Sequence, residues 1–256
     1  MITVGIDSGN RNTKVVVLKD GEVISRYMTL TGFEANETAI EVYTKALEQV
    51  GLKANDVAAV VSTGLGRNEI KFAKENISEV GSAARGARFV APTVNTIIDL
   101  GAEEGRALKL TTEGKISDFA TNGKCAAGAG SFIESMARAL QTTAEEMGSL
   151  SMKHTKEIQM NAQCVVFAES EVVSLIHQNT AKEDIAKAVH DGVSNRVSSM
   201  VRRVGIVDDV ALIGGPGKNI GLVQSLNEDL AKDIIVPEFP EFISAIGAAL
   251  YAVEIA

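Results

Sequence analysis

Basic charge is scarce in this chain: 25 Lys and Arg stand against 33 Asp and Glu, a formal net charge of −8. No stripe of Lys and Arg is present to displace counterions from a phosphate backbone, which argues against nucleic acid as a partner. Short pairs such as Arg202-Arg203 read as solvated helix faces. Long apolar runs are missing as well. None approaches the ~20 residues needed to span a bilayer. Met1-Ile2-Thr3-Val4-Gly5-Ile6 lacks the basic and apolar regions of a signal peptide and reads as a strand. A cytoplasmic protein without membrane contact is expected. There are 2 cysteines; a structural disulfide between them would be unusual in that compartment, and two thiolates are too few to hold a four-cysteine iron–sulfur cluster. No Gly-Lys-Ser/Thr and no Gly-x-Gly-x-x-Gly opening a first helix is found, so P-loop and Rossmann nucleotide sites are excluded. His154, His177 and His190 have no metal-ligand company and read as structural.

What is present is an α/β pattern repeated within one chain. The apolar content of 45% is ample for a sizeable core. A strand over residues 3–6 ends in Asp7-Ser8-Gly9 and is followed by a strand over 13–18, the turn signal Asp20-Gly21, and a returning strand over 22–27. The spacing predicts a helix over 37–51, a strand over 56–62 and a small-residue helix over 81–90. After Pro92 the scheme restarts. A strand over 96–100 carries Asp99 and is followed by Gly101, as Asp7 is followed by Gly9. Strands over 106–111 and 115–119, further helices, a strand over 210–213 and Gly214-Gly215-Pro216-Gly217 complete it. Such a repeat implies two similar α/β subdomains with a cleft between them: residues 1–93 joined by a C-terminal helix in 243–256, and residues 94–242.

An aspartate closing a buried strand, followed by glycine and small polar residues, suits phosphate binding. Backbone amides can approach and donate, and the carboxylate can hold the water shell of Mg²⁺. A single Asp-x-Gly is equally an ordinary hairpin tip; two in repeat register, with a glycine-rich turn after a third strand, are harder to dismiss. The arrangement resembles the actin, Hsp70 and sugar-kinase superfamily (an RNase H-like ATPase fold), with residues 7–14 and 98–104 as the two phosphate motifs and 212–219 as the adenosine motif. On that resemblance Asp7, Asp99 and Glu103 are the candidate catalytic residues. Ser8, Gly9, Asn12, Thr13, Lys14, Gly101, Ala102, Gly128, Gly130, Gly214, Gly215, Lys218 and Asn219 are the candidate nucleotide contacts.

Cys125 lies in Gly-Lys-Cys-Ala-Ala-Gly-Ala-Gly, ahead of a helical pattern that carries Phe132, Ile133, Met136, Ala137 and Leu140 on one face; Ser131 and Glu134 have capping-box spacing. Cys164 precedes a second pattern with Val165, Ala168, Val172, Leu175 and Ile176. A thiolate at a helix N-terminus gains from the macrodipole, although most free cysteines are small buried hydrophobes. A two-fold dimer would bring four thiolates together. The motif Lys-Cys-Ala-Ala-Gly-x-Gly, followed by Cys-x-Val-Phe-Ala-Glu-Ser-Glu-Val, strongly resembles the ATPase activators of 2-hydroxyacyl-CoA dehydratases and benzoyl-CoA reductases, a family that also includes reductases of double-cubane-cluster proteins. Thr63-Gly64-Leu65-Gly66-Arg67-Asn68 and the ending Gly247-Ala248-Ala249-Leu250-Tyr251 extend the resemblance over nearly the whole chain.

The resemblance implies a homodimer with one oxygen-sensitive [4Fe–4S] cluster held by Cys125 and Cys164 of each subunit. It also implies ATP hydrolysis with Mg²⁺ that drives low-potential electrons into a partner dehydratase, aryl-CoA reductase or double-cubane-cluster protein, with ferredoxin or flavodoxin as donor. Loss of the γ-phosphate would then shift the helices behind both cysteines. Where such activators typically read Asp-Ile-Gly-Gly-Gln-Asp, this chain has Asp99-Leu100-Gly101-Ala102-Glu103-Glu104. Glu103 could act as general base, sit on Mg²⁺, or slow hydrolysis by repelling phosphate. The competing readings are a small-molecule kinase with Asp99 as base and incidental cysteines, and an actin-type assembly switch. Glu169 and Glu171 read as helix solvation, Arg138, Arg196 and Arg202 as surface charge.

Overall fold

The structure is a computed structural model that describes residues 1–122, 130–160 and 165–256, without the side chains of residues 165 and 166. Two compact units divide it: Met1–Val94 with Leu110–Ile116 and Glu241–Ala256, and Asn95–Lys109 with Ser117–Pro240.

In the first unit, β1 (Ile2–Ser8), β2 (Asn12–Lys19), β3 (Glu22–Leu30), β4 (Ala59–Thr63) and β5 (Glu75–Asn76) form one sheet in the order β3-β2-β1-β4-β5. β1 pairs antiparallel with β2 and parallel with β4. The Asp20-Gly21 turn has positive φ at both residues, +53° and +87°, the two-residue geometry whose twist matches the flanking strands. β1 is almost continuously apolar because both its faces are covered, as expected where helices flank a sheet. Val4 and Ile6 pack with Val42 and Ala46 of α1 (Ala35–Glu48). On the other face Thr3 donates its hydroxyl to the carbonyl of Ala249 in α8 (Ile243–Ile255). That helix is rich in alanine and buries Ala245, Ala248, Ala249 and Ala252, so it lies close against β1 and against α2 (Glu79–Val90). The C-terminal helix thus packs back on the first half, as its sequence implies.

The second unit repeats the plan. β6 (Thr96–Leu100), β7 (Gly105–Leu110), β8 (Ile116–Asn122) and β9 (Val210–Ile213) lie in the order β8-β7-β6-β9, with β6 antiparallel to β7 and parallel to β9. Ile98, Leu100 and Leu212 from this sheet pack with Phe132 and Met136 of α3 (Gly130–Ala139), Met147 of α4 (Ala144–Ser151), Val172 of α5 (Val165–His177), Val189 and Val193 of α6 (Lys182–Val204) and Leu222 and Leu226 of α7 (Ile220–Leu230). On α5 the expected apolar face holds for Ala168 and Val172, but Ile176 is exposed. Among the described residues no helix is long and apolar enough to cross a membrane.

α6 carries a buried polar stripe. Lys187 is nearly enclosed and donates to Glu228 at 2.8 Å and to Asp191. Burial pulls its ammonium down, and the bonds to those carboxylates outweigh the burial and hold it above the ordinary lysine value. His190, one turn on, is fully buried, and neither ring nitrogen finds a partner. Burial, aided by the charge of Lys187, pushes its pKa down to about 3, so it is a neutral packing residue at physiological pH.

Candidate functional site

Each unit places an aspartate at the C-terminal end of its first strand. In the first, Asp7 on β1 stands directly opposite Lys14 on β2, and Lys14 Nζ donates to Asp7 Oδ2 at 2.8 Å and to the Asn12 carbonyl at 3.3 Å. The turn between them is tight: the Gly9 amide donates to the Asn12 carbonyl at 3.2 Å. Thr13 is fully buried, and its hydroxyl shares a 2.9 Å hydrogen bond with Thr31, which donates to the Gly9 carbonyl. Thr13 therefore braces the turn from behind. Ser8 alternates to the opposite face from Asp7; it is 1% exposed and its hydroxyl has no hydrogen-bond partner. Expected as a nucleotide contact, its side chain is enclosed by the protein.

The loop after β4 closes over this turn. Gly64 has φ +88°, and a Cβ there would lie 2.5 Å from both Asp7 Oδ1 and the Ser8 carbonyl oxygen, so only glycine fits. The Gly66 amide donates to the Ser8 carbonyl at 2.9 Å, and Arg67 Nη1 donates to the Gly64 carbonyl at 3.0 Å.

In the second unit Asp99 on β6 stands opposite Arg106 on β7. The guanidinium is buried and forked: Nη1 donates to Asp99 Oδ2 at 3.2 Å and Nη2 to Glu104 Oε2 at 2.7 Å. The Gly101 amide donates to the Glu104 carbonyl at 2.8 Å and closes the turn. Glu103 is exposed at its tip. Here α3 is fastened on. The Gly130 amide donates to the Gly101 carbonyl at 2.9 Å and the Ser131 amide to the Ala102 carbonyl at 2.8 Å. The first donors of α3 are thus satisfied by the phosphate-type turn. The capping box expected at Ser131 and Glu134 is not formed: Ser131 lies inside the helix, its hydroxyl buried without a partner. A capping box does form at Thr143 and Glu146 on α4.

The turn after β9 completes this surface. Gly214, at φ +92° and ψ 167°, donates its amide to the Pro240 carbonyl at 2.8 Å. A Cβ there would sit 2.0 Å from the Leu100 carbonyl oxygen, and one on Gly130 would sit 3.0 Å from Pro216 Cγ. Gly101, Ala102, Gly130, Gly214 and Pro216 are therefore gathered within one unit, with Gly214 against the backbone of Leu100 and Gly130 against the ring of Pro216. Gly215 and Lys218 are exposed on the same turn. Asn219 differs from expectation. It is buried, accepts from the Leu222 amide at 3.0 Å as the N-cap of α7, and donates to the Ala144 carbonyl at 2.7 Å. Both ends of its amide are committed to holding the fold.

Gly128, Cys125 and Cys164 lie outside the described residues. Among the described residues no group of three or more His, Cys, Asp or Glu could hold a metal ion. Sequence reasoning missed Arg106 and the ion pair it makes. The signal was available, since Lys14 and Arg106 occupy the same place after their strand-end aspartates.

The comparisons with known proteins agree with this geometry. The chain is 39% identical over 98% of its length, and 95% of the relative, to the 2-hydroxyisocaproyl-CoA dehydratase activator of Clostridioides difficile. It is 36% identical, over 98% of its length and 96% of the relative, to the (R)-2-hydroxyglutaryl-CoA dehydratase activating ATPase of Acidaminococcus fermentans. The solved structure of the activator of the 2-hydroxyisocaproyl-CoA dehydratase from Clostridium difficile, with bound ADPNP, superposes with a TM-score of 0.95 at 38% identity, covering 100% of this chain and 95% of that one. The fold is that of the actin-like ATPases. With the family model matching residues 4–252, the chain belongs to the BadF/BadG/BcrA/BcrD ATPase family.

Proposed function

We propose that this ATPase activates a CoA-ester dehydratase or reductase, or a double-cubane-cluster protein, as a homodimer that holds one [4Fe–4S] cluster through Cys125 and Cys164 of each subunit. The relatives' names support the activator role. The donor chemistry supports the cluster. Two thiolates per chain make a four-thiolate set only in a dimer, and the described residues offer no rival metal site. A cluster held there would take up one electron from a ferredoxin or flavodoxin and release it at low potential.

Asp7 in the first unit and Asp99 in the second would each be able to hold the water shell of a nucleotide-bound Mg²⁺. Lys14 and the Ala102 amide would be the phosphate donors of their own turns, since the Gly9 and Gly101 amides close those turns. Gly214 and Gly215 bring backbone to the adenosine. Glu103, at the exposed tip of its turn, would be free to act on the attacking water as base.

The observation that carries this reading is the pair of backbone hydrogen bonds from Gly130 and Ser131 to Gly101 and Ala102. They fasten the start of α3, which follows Cys125 by five residues in the sequence, to a turn that would change partners when the γ-phosphate leaves. Displacement of that turn moves α3 with it. Coupling further requires that ATP and ADP prefer different conformations.

Anaerobic purification and replacement of each cysteine by serine test the proposal. About four iron atoms per dimer, the content of one shared cluster, are expected. Cys125→Ser or Cys164→Ser should abolish the iron and leave ADP affinity within about threefold, a difference of less than 1 kcal/mol. A wild-type protein with no iron after anaerobic reconstitution would sink the proposal, and cysteine variants with full iron would remove the assigned ligands.

A further inference from the structure

The two units share more than a strand order. Asp7 and Lys14 are cross-strand partners on β1 and β2, and Asp99 and Arg106 are cross-strand partners on β6 and β7. Each cation is the residue directly opposite its aspartate, and each folds back to bind Oδ2 of that carboxylate. All four side chains are largely withdrawn from solvent, at 14% and 12% exposed for Lys14 and Asp7 and 8% and 9% for Arg106 and Asp99. A carboxylate so enclosed is costly unless it is paired. Each unit therefore carries the aspartate and its cation together as a buried pair.

The two copies differ in the cation, and the reason lies in the turn. The first turn has one acid, Asp7, and Lys14 divides its ammonium between that carboxylate and a backbone carbonyl. The second turn has Asp99, Glu103 and Glu104 within one short stretch. A guanidinium can grip two carboxylates at once with fixed geometry, which an ammonium acting as a point charge cannot. Arg106 does this, with one nitrogen on Asp99 and the other on Glu104. Without it, a turn meant for a polyphosphate would present three negative charges.

We propose that Arg106 is the positioning residue of the second phosphate turn. It fixes the carboxylate of Asp99 for ATP hydrolysis and cancels the charge that Glu104 adds. The inference rests on the ATPase reading of this turn.

The test is steady-state ATP hydrolysis by the full-length protein with Arg106→Gln, Arg106→Lys and Arg106→Gln/Glu104→Gln, beside their thermal melting. Arg106→Gln should lower kcat about tenfold because Asp99 is misplaced, and should raise KM by about threefold or more because the charge of Glu104 is left facing the nucleotide. Arg106→Lys, which keeps the charge but not the fixed fork that orients both carboxylates, should fall between, roughly threefold below wild type. Removing Glu104 as well should restore part of the loss, because one stranded charge is gone. Wild-type kcat in Arg106→Gln or in Arg106→Lys would overturn the role, as would a double variant no better than the single one. If Arg106→Gln does not fold, Arg106→Lys decides alone. Wild-type turnover with unaffected variants counts against Arg106 only; a wild-type protein that hydrolyses no ATP counts against the ATPase reading and this role together.

Discussion

Gly214→Ala should damage the fold and the nucleotide site together, and the structure sets the size of the effect. At φ +92° and ψ 167° the residue occupies a region that is nearly exclusive to glycine, which costs another residue about 1–3 kcal/mol. The new Cβ would also lie 2.0 Å from the Leu100 carbonyl oxygen. That oxygen belongs to β6, so relief requires backbone movement, at a further cost of about 1–3 kcal/mol. The total, about 2–6 kcal/mol, should lower the melting midpoint by roughly 5–20 °C in a chain of this size. Gly215→Ala is the control, because a Cβ there meets nothing within 4 Å. Thermal melting by circular dichroism of both variants, with ADPNP titration of Gly214→Ala alone, gives the answer. A Gly214→Ala protein that melts with wild type, or a Gly215→Ala protein that is equally damaged, would refute the reasoning.

Other outcomes follow from the same geometry. Asn219→Ala removes a helix cap and should cost about 1–2 kcal/mol in urea denaturation while ADP affinity stays within about threefold; a large loss of affinity at unchanged stability would make Asn219 a ligand contact after all. For His190 the folded-state pKa of about 3 lies below the ordinary 6.5. The unfolded chain therefore takes up a proton as pH falls below 6.5 while the folded chain does not. Stability that is complete above that pH should be lost on acidification by up to about 1.4 kcal/mol per pH unit. Urea midpoints between pH 7 and 5 should fall less steeply in His190→Gln than in wild type; equal slopes would contradict the assignment.

The strands that mark the fold were legible because burial on both faces writes itself as an apolar run. β6 and β9 carry the same bounds in sequence and structure, and the Asp-Gly hairpin turn forms as its residues require. β3 runs on to Leu30, beyond the expected end, because β2 supplies a partner as far as Asn12. β4 starts later than expected: the chain first makes a short 3-10 helix at Ala54–Asp56, where Asp56 accepts from the Lys53 amide. The two-residue β5 is exposed and left no periodic trace. The matching places of Asp7 on β1 and Asp99 on β6, each near the end of its strand, were legible from their repeat register. The roles of Thr13, Ser131 and Asn219 were not, because their partners, Thr31, the turn carbonyls and Ala144, are set by tertiary packing. Arg106 was hidden by the reading of turns as isolated motifs when its meaning lies in the strand opposite.

If the turn at Gly101 and Ala102 acts on a cluster through the start of α3, the identity of the bound nucleotide must be felt at the cluster. The measurement is the reduction potential of the anaerobically purified protein in its ADP-bound and ADPNP-bound forms. Two distinct potentials are expected, and no cluster signal at all when Cys125 or Cys164 is replaced by serine. A potential that is the same in both nucleotide states would contradict this coupling.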